Sequence, residues 1–184
     1  MVSRLAFDAV FFDLGNTLVP FTPAESMEFV VKWYRLASLQ DEVPFDLFLE
    51  VFRKIVKKEK MRSETELWES NVACRSDMIS QEIASNEPKI EDIKNRLERT
   101  HTGSFLSCLR AADTLKNVLE TLSSSKGPSG ERVRMGLISN AIDPDAVRQF
   151  LVGNGMERYF DPVIISAEVN MAKPHVEIFN IGIS

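Results

Sequence analysis

The sequence predicts an α/β fold: a doubly wound (Rossmann-like) parallel sheet with a helical cap inserted after its first strand. Three observations predict it. Apolar runs at 9–12, 133–139 and 162–166 are short, and the first two lead directly into polar residues, as buried parallel strands do where they meet a ligand face. Stretches with helical apolar spacing separate them. Between residues 22 and 100 nothing alternates at period two, so that whole span reads as helical. The expected division is an α/β core of residues 1–20 and 104–184, with a cap of residues 21–103.

Each element has its own local reason. Gly15-Asn16 after the first run suits a tight turn, because both residues tolerate positive φ. Thr22-Pro23-Ala24-Glu25 combines a hydroxyl cap, a proline in the first turn and a capping-box glutamate, and Met27, Val30, Val31, Tyr34 and Ala37 follow on one face. A second helix is expected from Pro44, with Phe45, Phe48, Phe52 and Ile55 on its stripe and Lys57-Lys58-Glu59-Lys60 as its solvated end. Ser63-x-x-Glu66 reads as a capping box opening a third, and further stripes run through Ile79 and Ile83, then Ile93 and Leu97 after Pro88. Leu115, Val118, Leu119 and Leu122 mark a helix after the cap. Residues 123–130 form a Ser/Gly/Pro-rich surface loop, Asp143-Pro144 opens a helix, and Pro174 starts the last one.

The chain has 184 residues, 44% hydrophobic and 27% charged, with a formal net charge of -5. That balance excludes a nucleic-acid backbone as the main partner. No apolar stretch reaches the roughly 20 residues that span a bilayer, so no membrane partner is expected. Two cysteines, Cys74 and Cys108, point to free thiols and a cytoplasmic protein. Trp33, Tyr34 and Trp68 are read as packing rather than as substrate contacts, and His101 and His175 as surface or structural residues without an identifiable partner.

Asp13 closes the first apolar run. Taken alone it fits a turn as well as a catalytic carboxylate. Ser139 and Asn140 close the second run, and Lys173-Pro174 follows the third. With Asp13-Leu-Gly-Asn-Thr17 and the segment from Tyr159 to Phe179, these residues resemble the haloacid dehalogenase-like (HAD) hydrolase superfamily. The resemblance implies that Asp13 is the nucleophile and, with the Gly15 carbonyl, a ligand of Mg2+. It also implies that Ser139, Asn140 and Lys173 hold the transferring group, with Lys173 placing a positive charge beside Asp13. The expected activity is Mg2+-dependent hydrolysis of a small phosphorylated metabolite through an aspartyl-phosphate. The alternatives are a 2-haloacid dehalogenase and a non-catalytic binding protein of the same fold.

Two departures from the family pattern matter. Gly15 stands where its phosphatases carry the acid that protonates the leaving group, a function typically worth about 10²–10⁴ in rate. The sequence also stops eleven residues after Lys173, before the family's fourth, acidic motif. A truncated HAD-like chain is therefore expected, with its first strand on an exposed sheet edge open to self-association.

Overall fold

Three strands, β1 (Ala9–Phe12), β2 (Arg134–Ser139) and β3 (Val163–Ile165), form one parallel sheet in the order β1-β2-β3. The computed structural model describes residues 4–183. Val10 aligns with Met135 and Phe12 with Leu137, while Ile138 aligns with Ile164. The register brings the carboxyl ends of β1 and β2 side by side, which is where open α/β sheets work on ligands. Among the described residues β1 pairs on one side only, with β2.

The chain leaves β1 through four helices, α1 (Pro23–Leu36), α2 (Phe45–Glu66), α3 (Val72–Ile83) and α4 (Glu87–Leu106). It returns to the sheet through α5 (Leu115–Ser124), α6 (Pro144–Gly153), α7 (Ser166–Val169) and α8 (Val176–Ile183). The helices between β1 and α5 bury their own core of Phe29, Trp33, Phe48, Ile79, Ile93 and Leu97. One face of the sheet packs a second core with Leu119, Val147 and Leu151, and the other face meets Ile178 of α8. Phe21 and Phe105 touch both larger cores, with ring centroids 5.3 Å apart. α4 is continuous from the helical layer to the sheet layer, so it joins the two mechanically.

Several elements depart from the sequence expectations. On α1 the buried face is Phe29, Val30, Trp33 and Tyr34, whereas Met27 is exposed, because the three aromatic side chains bury more surface than Met27 and set the rotation of the helix. Lys57-Lys58-Glu59-Lys60 is not a solvated helix end. α2 runs on to Glu66, and Glu59 is buried against Arg75 of α3. Ser63 therefore sits inside a helix instead of capping one. The helix stops at Leu67, whose φ of 53° is left-handed, and the next start is capped by Asn71, which accepts from the Cys74 amide at 2.9 Å. The loop after α5 is tied down, since Asp8 accepts hydrogen bonds from the Ser129 amide (3.0 Å) and hydroxyl (2.6 Å). The expected capping box at Thr22 is present: Ala24 N donates to Thr22 Oγ1 at 3.2 Å, and Thr22 N to Glu25 Oε2 at 2.9 Å. Trp33 and Tyr34 pack as expected, Trp33 Nε1 donating to the Leu97 carbonyl at 2.9 Å. No helix among the described residues is long and apolar enough to cross a membrane.

Candidate active site

Asp13 follows β1 directly and is held by the turn that comes after it. Asn16 has φ 58°, a left-handed conformation that asparagine tolerates, and its Oδ1 accepts from the Phe21 amide at 3.0 Å. Val19 N returns to the Leu14 carbonyl at 3.0 Å and closes the turn. Gly15, by contrast, is not at positive φ, and a Cβ built on it meets nothing within 4 Å. The turn therefore needs Asn16 but not Gly15, a correction to the expectation that both residues supply it.

Lys173 reaches this turn from the loop after α7. Its Nζ lies 2.7 Å from Asp13 Oδ1 and donates to the Ile138 carbonyl, also at 2.7 Å. Two of its three N–H donors are so engaged, leaving one for a ligand. Asn140 positions the lysine: its Oδ1 accepts from the Lys173 amide at 2.8 Å, and its Nδ2 donates to the Lys173 carbonyl at 3.2 Å. The Asn140 side chain thus clasps the next loop. Ser139 is buried at the end of β2, and its hydroxyl makes no hydrogen bond among the described residues.

Asp13, Gly15, Ser139, Asn140 and Lys173 all line one cleft of about 880 Å³. The side chains named from sequence thus come together, three of them from separate βα loops. The helical layer supplies the opposite wall, including Phe29, Phe52, Glu59, Arg75 and His101. The wall is closed at its far side by two contacts between α2–α3 and β3–α8 loops. Ala172 N donates to the Leu67 carbonyl at 2.8 Å, and Ser166 Oγ donates to Glu69 Oε2 at 2.9 Å. Burial raises the Glu69 pKa against the hydrogen bonds it accepts from the Ser166 hydroxyl and the Ser70 amide.

His101 is the largest correction. It is not a partnerless surface residue: it is 2% exposed, and its Nδ1 lies 2.7 Å from Asp143 Oδ2. Thr102 Oγ1 donates to the same oxygen at 2.9 Å, while Asp143 Oδ1 caps α6 through the Ala146 amide at 2.9 Å. Burial lowers the His101 pKa more than the bond to Asp143 raises it, so the ring is neutral at pH 7. For Asp143 burial acts upward, but the bonds from His101, Ala146 and Thr102 outweigh it and lower the pKa. The sequence carried one half of this signal, the Asp143-Pro144 cap. Nothing local linked it to a histidine 42 positions earlier. His175, expected to have no partner, accepts at Nδ1 from the Glu177 amide at 3.2 Å near the start of α8, a structural contact.

Residues 44–184 match the family model of the haloacid dehalogenase-like hydrolases. The chain belongs to that family. The matched segment begins after β1, so Asp13 is tied to Ser139 and Lys173 by the geometry just described. No curated protein matches the sequence. Among solved structures, a 2-haloacid dehalogenase from Pseudomonas syringae pv. Tomato DC3000 superposes with a TM-score of 0.63 at 14% identity, over 98% of this chain and 71% of that one. The HAD-hydrolase YfnB from Bacillus subtilis, in a magnesium-bound structure, gives 0.59 at 15% identity, over 96% and 73%. A predicted phosphoglycolate phosphatase from Haemophilus somnus 129pt gives 0.55 at 18% identity, over 95% and 69%. These likenesses show the fold, and the HAD chain here spans about seven-tenths of each.

The magnesium ion common in this family can be tested against the residues present. Asp13 Oδ2 and the Gly15 carbonyl make no hydrogen bond among the described residues, and both are hard oxygen donors at the cleft. Among the described residues no group of three or more His, Cys, Asp or Glu side chains gathers as a ready-made cage. Such a donor pair fits Mg2+, which is commonly held through one or two carboxylates with waters and substrate phosphate filling the rest.

Proposed function

We propose that this HAD hydrolase is a phosphomonoesterase acting on a small phosphorylated metabolite. The observation that carries the reading is the Lys173–Asp13 ion pair at 2.7 Å, formed in a cleft that also holds Ser139. The pair leaves Asp13 Oδ2 as the attacking oxygen and places a positive charge beside an incoming anion. Oδ2 forms a bond to phosphorus while the bond from phosphorus to the ester oxygen breaks, giving an aspartyl-phosphate and an alkoxide that must take up a proton. Ser139 Oγ and the remaining Lys173 N–H hold the equatorial oxygens, with the Asn140 amide beside them. Water then attacks phosphorus, its proton is released, and inorganic phosphate leaves with Asp13 restored. Asp13 and the Gly15 carbonyl would hold Mg2+, which when bound neutralises phosphate charge. The helical wall keeps bulk water from the intermediate.

Other parts of the reading rest on separate observations. The unpaired Cys74 and Cys108 support a cytoplasmic location, and the one-sided pairing of β1 supports self-association through that strand. Gly15 cannot supply a general acid, whereas a halide leaves without needing a proton. The decisive experiment uses p-nitrophenyl phosphate, whose phenolate leaves without protonation. Phosphate release should be Mg2+-dependent, abolished by a chelator and lost in Asp13→Asn. Chloride release from 2-chloropropionate without Mg2+ would instead establish a dehalogenase, and no release of either product would establish a binding protein.

A further inference from the structure

Two residues on the helical wall of the cleft each carry a buried acceptor atom with no partner among the described residues. Arg75 Nε and Nη2 both donate to Glu59 Oε2, at 2.8 and 2.6 Å, so the other carboxylate oxygen, Oε1, is buried with no hydrogen bond. A guanidinium fork more often spans both oxygens of a carboxylate. On His101 the Asp143 carboxylate can only accept, so the proton of the neutral ring sits on Nδ1 and Nε2 is a bare lone pair. That Nε2 is likewise buried and unpartnered. Glu59 is 7% exposed and His101 2%, and both line the cleft.

The two acceptors share one aromatic wall. Arg75 lies 6.0 Å over the Phe52 ring, Phe52 is 6.3 Å from Phe29, and Phe29 is 5.2 Å from the His101 ring. A buried acceptor left unmade is costly, and two of them on one apolar wall of a cleft form a pattern that only a donor can satisfy. We propose that Glu59 and His101 form a specificity subsite that receives a hydrogen-bond donor, a hydroxyl or an amino group, carried on the apolar body of the substrate. Phe29 and Phe52 take the apolar body, and Lys173 and Ser139 take the phosphate across the cleft. The subsite rests on the phosphatase reading for the far end of the ligand, and it narrows the substrate to a donor-bearing aryl or alkyl phosphomonoester.

The test compares three esters with the full-length protein and Mg2+: 2-phenylethyl phosphate, its 4-hydroxy derivative and its 4-aminomethyl derivative. Two methylenes insulate the reacting oxygen, so the leaving groups are alike. The kcat/KM of at least one donor-bearing ester should exceed that of the parent by about tenfold or more. The hydroxyl and ammonium arms distinguish a neutral donor from a cation paired with Glu59. Glu59→Gln, which turns an acceptor into a donor, should bring that ratio toward one, and His101→Gln serves as the second variant if the first does not fold. Equal kcat/KM for all three esters would overturn the subsite while leaving the phosphatase standing, the acceptors then being filled by buried water. If no ester releases phosphate, the phosphatase reading fails and calorimetry decides the subsite separately. Tighter binding of a donor-bearing ester would sustain it, and equal binding would overturn it.

Discussion

At the scale of single residues, Gly15 is the position where chemistry and sterics can be separated. Its φ is not positive and a Cβ added there has no atom within 4 Å, so neither the backbone nor the Cβ of an aspartate is strained. Gly15→Asp should therefore fold like the parent. It should also raise turnover of an alkyl phosphate by about 10²-fold, the lower end of general acid–base assistance, with a much smaller gain on p-nitrophenyl phosphate. An equal gain on both esters would show that the carboxylate acts on binding, not on the leaving group. His101 gives a second prediction. Its pKa is lowered by burial, with Arg75 acting in the same direction and Asp143 and Glu59 opposing. The unfolded chain then takes the proton first as pH falls, so the stability associated with neutral His101 is complete above about pH 6.5 and is lost as pH drops below it. His101→Gln keeps an N–H for Asp143 and cannot titrate. Its melting temperature should fall less between about pH 7.5 and pH 5 than that of the parent, and an equal fall would place the titration elsewhere.

At the scale of elements, legibility in the sequence followed how local the cause is. The three strands, the Thr22 box and the Asp143 cap were legible because a few consecutive residues determine each. The course of the chain from Glu59 to Val72 was not. A run of lysines with one glutamate looks solvated until Arg75, on the next helix, arrives to bury that glutamate. The Ser63 capping pattern failed because it is local, whereas the helix that starts at Phe45 runs through Ser63 to Glu66. Asp13, Ser139 and Lys173 were legible only together, because an Asp, a Ser and a Lys at the ends of successive βα units resemble the family pattern, while each alone fits a turn, a strand end or a surface charge. The Glu59 and His101 acceptors were not, because both depend on pairings across helices. The sheet itself offers a direct test at Gly136. A Cβ there would lie 2.4 and 2.5 Å from atoms of the Phe11 ring and 3.3 Å from the Pro162 carbonyl. Gly136→Ala should destabilise the protein by about 1–3 kcal/mol in denaturant unfolding, the range for forced overpacking. Phe11→Leu in the same background should recover part of the loss, since it removes the clashing ring.

At the scale of the whole molecule, the helical layer meets the sheet layer at two places of different character. One is permanent: α4 passes between the layers, Phe21 packs on Phe105, and His101 and Thr102 both bond Asp143 of α6. The other is light. It consists of the Ala172 amide on the Leu67 carbonyl and the Ser166 hydroxyl on Glu69. A cleft of about 880 Å³ lies between them, so opening for substrate should break the second contact and pivot on the first. Glu69 is the sensitive member, since burial raises its pKa: its contribution to closure is fullest in mild acid, below its ordinary 4.5, and is lost as pH rises through the raised value. Glu69→Ala should leave the melting temperature nearly unchanged, because the carboxylate is half-buried and the cores are untouched. It should lower the hydrogen-exchange protection of the Ala172 amide by about tenfold, the effect of losing one modest hydrogen bond from a closed state, and raise KM for the same reason. Amides in β2 should keep their full protection. If the Ala172 amide and β2 lose protection together, the two layers open as one unit and closure is a property of global stability, not of this contact.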